Sequence, residues 1–310
     1  MEIEDRDKHE RFSEMSKLAF VVLHYNTLKE TTDCVKSIVN NIDITDYKIV
    51  IVDNGSPNHT GKELKEKYQG DIHVVVLVLK KNLGFAKGNN VGISYCRDKF
   101  SPDYICCLNN DTLLKQKNFY ATLSDNAKKT GAAVIGPKVI LKDGRIQTFN
   151  KKFLTVNEYR YQLQRYKRWQ KHIYKYTLRC YFSNISLIKK IKNILHKGQR
   201  LNENIYTKSM EQVVLHGCCL IFTRRFFEVL DGFDSRTFLY REEELMYLSL
   251  LRHGLSSLYC ADLEIMHLED AATKSAFSNL FKRNQFVLKY EIESTEILIS
   301  EMEKGCNNND

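Results

Sequence analysis

No stretch of this 310-residue chain reaches about 18 consecutive apolar residues, so no transmembrane helix is expected. Residues 1–17 are charged and lack an apolar core, so a secretory signal is not expected either; they read as a flexible N-terminal arm. The nine cysteines contain no Cys-x-x-Cys pair. Cys106-Cys107 and Cys218-Cys219 sit in apolar runs, and buried thiols of a reducing cytosol fit them better than disulfides or zinc ligands. A cytoplasmic protein is the expectation. No G-x-x-x-x-G-K-[ST] occurs, which argues against a P-loop kinase or ATPase. No G-x-G-x-x-G follows the first strand, which argues against a dinucleotide dehydrogenase. Repeats with a period of about 20–50 residues are also absent.

What is present is a 43% hydrophobic composition, enough to bury a core, and a net charge of +9 that is unevenly spread. Residues 151–200 hold fourteen Lys or Arg against one acid, Glu158. From Leu18 to Pro137 short β-branched runs alternate with helical patterns: strands at Leu18–Leu23, Lys48–Val52, His73–Leu79, Tyr104–Leu108 and Ala133–Ile135, and helices at Thr27–Val39, Gly61–Tyr68, Phe85–Cys96 and Asn118–Lys129. That rhythm predicts βαβ units, an α/β fold with a mostly parallel sheet and helices on both faces. His73–Leu79, almost wholly apolar, reads as a central strand. Residues 151–210 break the rhythm as a basic, aromatic helical insertion, with Tyr159, Leu163, Tyr166, Ile173 and Cys180 on one face and Ile185, Ile188 and Leu195 on another. Beyond it, Val213–Phe222 reads as a strand carrying Gly217, and Glu243–Arg252 as a helix. The chain thus divides into a first half at 18–150, the insertion at 151–210, a second half at 211–270 and a C-terminal helical tail at 271–310.

Polar residues collect where apolar strands end. Val21-Val22-Leu23 runs into His24-Tyr25-Asn26, Ile49–Val52 into Asp53-Asn54-Gly55-Ser56, Tyr104–Leu108 into Asn109-Asn110-Asp111, and Ile265-Met266 into His267. The C-terminal ends of strands are where open α/β sheets bind ligands. A carboxylate there suits a hard cation that carries phosphates. Asp53 can serve a nucleobase or ribose, or simply close an Asx turn. His267 can be a ligand or a core histidine. Glu242-Glu243-Glu244 can face a cleft while also complementing a helix dipole. The Gly84-x-x-x-Gly88 spacing can present N–H groups or let backbones pack closely.

These elements, in this order, resemble glycosyltransferase family two, most closely its rhamnosyltransferase-like branch. The resemblance runs through His24-Tyr25-Asn26, Asp53-Asn54-Gly55-Ser56, Asn82 to Asn90, Asn109-Asn110-Asp111, Gly217, Gly232-Phe233-Asp234, Phe238 to Glu243, and His267. It implies the GT-A fold and an inverting, metal-assisted sugar transfer from a UDP- or dTDP-sugar to a glycan or lipid-linked acceptor in cell-surface polysaccharide synthesis. It implies nucleotide-sugar binding by His24, Tyr25, Asn26, Asp53, Asn54, Asn82, Gly84, Lys87, Asn89, Asn109 and Asn110. Asp111 and His267 would hold Mg2+ or Mn2+, and Glu243, with Glu242 beside it, would be the catalytic base. Two departures stand out: Asn109 replaces the first Asp of the usual Asp-x-Asp motif, and Glu243 replaces the commoner Asp.

The alternatives are a non-catalytic nucleotide-sugar-binding or scaffold protein, and a nucleotidyltransferase, which would open with a Gly-rich loop that His24-Tyr25-Asn26 is not. The basic insertion reads either as a solvated helical pair or as a surface that docks on an anionic membrane through Tyr159, Tyr166, Trp169 and Tyr174. No RNA or DNA module surrounds it, so nucleic acid is not an expected partner. The sugar and the oligomeric state stay open.

Overall fold

The computed structural model describes residues 17–148, 152–183, 203–268 and 279–306. The N-terminal arm up to residue 16 and the helical face of Ile185, Ile188 and Leu195 lie outside the described residues. One nine-stranded sheet organises the chain. Its strands are β1 (Leu18–His24), β2 (Tyr47–Asp53), β3 (Val74–Val78), β4 (Tyr104–Asn109), β5 (Thr112–Leu113), β6 (Val134–Leu141), β7 (Met210–Glu211), β8 (Cys219–Thr223) and β9 (Ser257–His267). The order is β3-β2-β1-β4-β8-β6-β9-β5, with β7 pairing β9.

The first four strands are parallel, as the alternating pattern predicts. Beyond β4 the sheet is mixed: β8 runs antiparallel to both β4 and β6, while β6 and β9 are parallel. The β6–β9 register shifts between Pro137 and Lys138, where proline supplies no ladder N–H. One expectation is corrected here. The apolar third strand is the edge of the sheet, not its centre. Its apolarity arises because Val76 packs on one face of the sheet and Val75 and Leu77 on the other.

Each face has its own core. Alternate residues of β1 divide between them: Leu18, Phe20 and Val22 join helices α1 (Leu28–Asn41), α2 (Thr60–Lys67) and α4 (Phe119–Thr130), whereas Ala19 and Val21 face α3 (Phe85–Phe100). Helix α3 lies very close to the sheet. A Cβ on Gly88 would come 2.7 Å from Leu23 Cδ1, and one on Gly92 would come 2.4 Å from Val21 Cγ1. The glycine spacing at this helix therefore serves close packing.

The basic insertion forms α5 (Val156–Lys171) and α6 (Ile173–Ser183). A full capping box opens α5, with Thr155 and Glu158 exchanging hydrogen bonds. After the short α7 (Arg224–Phe227) and α8 (Glu242–Arg252), the long C-terminal helix α9 (Leu280–Cys306) returns to pack on α5 and α6. A third core of Tyr159, Leu245, Leu298 and Ile299 joins α5, α8 and α9. Of the aromatic residues of α5, Tyr159, Tyr166 and Trp169 therefore point inward, whereas Tyr161 is exposed. Tyr159 is fully buried and Trp169 is stacked on Tyr176 with ring centroids 4.9 Å apart.

Candidate active site

The C-terminal ends of β2, β1 and β4 align in one row, with His24 in register with Asp53 and Leu23 with Asn109. The His24 ring is wholly engaged within the protein. Nδ1 lies 2.6 Å from Thr31 Oγ1 and Nε2 lies 2.8 Å from Thr60 Oγ1, tying β1 to α1 and α2. Burial, only partly offset by Asp53, lowers its pKa to about 4, so the ring is neutral. His24 positions the loop; neither nitrogen is turned to a ligand. Tyr25 and Asn26 follow half-buried, Asn26 at a positive φ of 63°.

Asp53 closes its own turn. Its Oδ1 accepts from the Ser56 N–H at 3.1 Å and from Ser56 Oγ at 2.5 Å, while Ser56 Oγ accepts from the Asn26 N–H at 2.9 Å. Asn54 is a latch: Nδ2 donates to Asn82 Oδ1 and the Gly84 carbonyl, and Oδ1 accepts from the Leu83 N–H. Gly84 sits at φ +85°, and a Cβ there would come 2.3 Å from the Phe238 carbonyl. The adjacent Phe85 N–H donates to that same carbonyl at 2.8 Å, so the two halves of the chain meet at this point. Asn89 is buried and bonds back to the Phe85 carbonyl, and Lys87 is exposed in the first turn of α3.

At the end of β4, Asn109 is half-buried, whereas Asn110 turns inward to donate to Thr27 Oγ1 and Thr31 Oγ1. Asp111 faces across to β9. The Thr112–His267 pairing brings His267 Nε2 to 3.3 Å from Asp111 Oδ1. His267 Nδ1 lies 2.8 Å from Gln147 Oε1, and only a protonated Nδ1 can donate there. With its proton on Nδ1, the ring can offer Nε2 as a ligand atom on the side where the Asp111 carboxylate lies. This pair therefore fits a divalent ion. An imidazole beside a carboxylate suits Mn2+ better than Mg2+. Among the described residues there is no cluster of three or more His, Cys, Asp or Glu able to hold a metal, so phosphate and water oxygens would complete the shell.

The acidic run opens α8. Tyr240 and Arg241, at φ 72° and 67°, make a left-handed step before it, a conformation costing roughly 1–2 kcal/mol per non-glycine residue. The three glutamates then diverge. Glu242 is buried and accepts from Thr237 Oγ1, Glu244 pairs with Arg241 at 2.8 Å, and Glu243 lies against Gly217, whose N–H donates to its carboxylate. A Cβ on Gly217 would come 2.0 Å from Glu243 Oε1. Burial and then the Glu243 charge push Glu242 up to about 8, and burial and then Glu244 push Glu243 up to about 7.

The expected continuous strand over Val213–Phe222 is corrected. Residues 212–218 form a loop, and β8 begins only at Cys219. This loop joins the two parts of the site. The Asn109 N–H donates to the Cys218 carbonyl, and Asp111 and Glu243 both contribute, after burial and Cys219, to raising the Cys218 thiol. His216 in the same loop sets its ring 6.0 Å from that of His267. Sequence reasoning missed His216 and the threonine shell of Thr27, Thr31 and Thr60, because isolated hydroxyls and one histidine in an apolar run carry no spacing signal.

A parallel β3-β2-β1-β4 half continued by a mixed second half, with helices on both faces, is the GT-A fold of nucleotide-sugar-dependent transferases. The sequence model of Glycosyl transferase family 2 matches residues 19–191, more than half of the chain, and the chain belongs to that family. Glycosyltransferase GlyG of Streptococcus pneumoniae serotype 4 (strain ATCC BAA-334 / TIGR4) is 30% identical over 122 residues, 39% of this chain and 38% of that relative's length. The crystal structure of S. aureus TarS 1–349 in complex with UDP-GlcNAc superposes with a TM-score of 0.50 at 15% identity, covering 92% of this chain and 71% of that one. The structure of the same segment with UDP gives 0.49 at 14% identity, covering 92% and 70%. At these identities the likeness is one of fold.

Proposed function

We propose that the protein is an inverting glycosyltransferase that moves a hexosyl or rhamnosyl unit from a UDP- or dTDP-sugar to a glycan or lipid-linked acceptor in cell-surface polysaccharide synthesis. The observation that carries this reading is the convergence of two chemistries on one loop. The Asp111–His267 pair and the Glu243 carboxylate approach the 216–218 loop from opposite elements. In the proposed mechanism the Asp53 and Asn54 turns receive the nucleoside, and Asn109, Asp111 and His267 face the diphosphate. A divalent ion held by Asp111 and His267 would neutralise charge on the leaving diphosphate. Glu243 takes the proton of the acceptor hydroxyl as its oxygen bonds to the anomeric carbon and the bond to the diphosphate breaks. One displacement on one face inverts that carbon. Glu242, neutral at pH 7 through burial, keeps a second negative charge away from the base.

Glu243 favours catalysis over the alternative of a non-catalytic scaffold, because a carboxyl raised to about 7 is matched to proton transfer near neutral pH. UDP and dTDP should bind more tightly than GDP or CDP in calorimetry, and UDP or dTDP release from the sugar nucleotide should require a divalent ion. Tight binding of GDP alone would overturn the donor assignment.

We also infer docking at an anionic membrane surface, through α6 rather than α5. Tyr174, Leu178, Tyr181 and Phe182 are exposed on α6, and Lys171, Lys175 and Arg179 lie beside them. No helix among the described residues is long and apolar enough to cross a membrane.

A further inference from the structure

The family model ends at residue 191, yet the turn that carries the acidic residues is held mostly by elements outside the strand-end site. Arg241 is the centre of that hold. Its Nε donates to Thr295 Oγ1 and its Nη2 to Glu291, both on α9. Nη2 also donates to Gln162 and Tyr166 of α5, and Nη1 pairs with Glu244 of α8. The guanidinium lies 5.6 Å from the Tyr159 ring centroid and the side chain is only 11% exposed. The neighbours of Arg241 are tied to the same helix. The Leu239 carbonyl accepts from Ser294 Oγ at 2.7 Å, and Phe238 stacks on Tyr290 with centroids 4.5 Å apart. A residue in the left-handed region persists only where its surroundings over-determine it. Here those surroundings are α5 and α9.

We propose that Arg241 is a positioning residue for sugar transfer: it fixes the left-handed Tyr240-Arg241 step against α5 and α9, and so aims Glu243 at the Gly217 loop. Arg241 touches no reacting atom. It also neutralises Glu244, the like charge nearest the base. The groups facing Glu243 are Glu242 and Glu244 on its own helix, Arg241 before it, and the Gly217 N–H and Cys218 across the loop. Arginine is required because a lysine ammonium is a point charge and cannot bridge Glu244, Glu291, Gln162 and Thr295 together. The inference rests on Glu243 being the base, and the test separates the two.

Arg241→Gln, Arg241→Lys, Glu291→Gln and Glu243→Gln are compared in the full chain. The readouts are UDP affinity by calorimetry, hydrogen exchange over residues 236–246, and release of nucleotide diphosphate from UDP-glucose, UDP-GlcNAc and dTDP-rhamnose across pH. Arg241→Gln should lower kcat at least tenfold, leave UDP affinity within about twofold, raise exchange over 236–246 at least tenfold, and move the acidic limb of kcat to higher pH. Arg241→Lys should keep the limb where the wild type has it and recover only part of kcat. Glu291→Gln, remote from the site, should raise local exchange in the same segment by a smaller factor. Unchanged exchange over 236–246 in Arg241→Gln would overturn the proposal even with no turnover to measure. So would an inactive Glu243→Gln beside an Arg241→Gln of wild-type kcat and pH limb. A fully active Glu243→Gln would instead remove the base assignment, leaving the exchange result to judge the role of Arg241 in holding the turn.

Discussion

His267 Nε2 faces Asp111 Oδ1 at 3.3 Å while the other side of the ring is committed to Gln147. An imidazole nitrogen and a carboxylate oxygen set this way by β5 and β9 are two atoms that can ligate one cation together. Mn2+ is therefore expected to raise the melting temperature of the wild type, with EDTA reversing the shift. Asp111→Ala and His267→Ala should each abolish the shift. Gln147→Ala should weaken Mn2+ affinity about 10- to 100-fold, because the outer hydrogen bond fixes the tautomer. An equal Mn2+ shift in wild type and Asp111→Ala would place the ion elsewhere.

For Glu243 the raised pKa makes two expectations with opposite benefit. Turnover should rise with pH through about 7 as the base ionises, and Glu243→Gln should lose roughly 100- to 10,000-fold in kcat with UDP affinity unchanged. Stability should move the other way. A folded carboxyl that binds its proton more tightly than the unfolded chain loses stability as pH rises from 4.5 to about 7. Glu243→Gln should therefore be more stable than wild type at pH 8, by up to roughly 3 kcal/mol, and equal to it below pH 4.5. Denaturant unfolding of both proteins at pH 8 and pH 4 checks the sign; a less stable variant at pH 8 would contradict the burial of a costly charge.

Much of this was legible in residue order. The strand-end residues His24, Asp53 and Asn109 come from parallel strands whose β-branched runs announce themselves, and the register of adjacent strands does the rest. What each side chain does there was not legible. His24, Asn54, Asn89 and Asn110 stand in the run of binding motifs, yet the structure spends their polar atoms on Thr31, Thr60, Gly84, Phe85 and Thr27. Residues near strand ends must satisfy the buried polar groups around them before any ligand arrives. The edge position of β3 and the loop at 212–218 were hidden for a different reason. An apolar run reports burial, not how many strands flank it or whether its backbone is paired. Arg241 looked like one more charge beside three glutamates; its inward course depends on α9, more than forty residues further along the chain, which no local pattern reveals.

Gly217 tests whether the loop must give way to the base. Its missing side chain leaves room for the Glu243 carboxylate, and a Cβ would meet Oε1 at 2.0 Å. Gly217→Ala must therefore displace either the loop or Glu243. An expected loss of at least 10-fold in kcat, with a smaller change in UDP affinity, follows from moving a base out of hydrogen-bond reach. Wild-type kcat in a folded Gly217→Ala protein would show that Glu243 acts from some other position.

The last prediction concerns where the enzyme meets its acceptor. On α6, Ile173, Tyr176 and Cys180 are only partly exposed, whereas Tyr174, Leu178, Tyr181 and Phe182 are exposed on the other side. Tyr174 alone is 77% exposed. A helix apolar on its outer face and flanked by Lys171, Lys175 and Arg179 has the two attractions that interfacial binding needs: apolar area and positive charge. Each basic residue near an anionic leaflet contributes about 1 kcal/mol, and the contribution is lost beyond a screening length of about 8 Å at physiological salt. By contrast, Lys167 is spent on Glu296 at 2.6 Å and Arg165 on the Trp169 ring, so α5 has less charge to offer. The wild type should sediment with vesicles containing phosphatidylserine and not with pure phosphatidylcholine, and release should follow added salt. Lys171→Gln with Lys175→Gln and Arg179→Gln should lose most of that binding, as should Tyr174→Ser with Tyr181→Ser, whereas Arg165→Gln with Lys167→Gln should keep it. Equal sedimentation of all four proteins with both vesicle types would rule out α6 as the docking face.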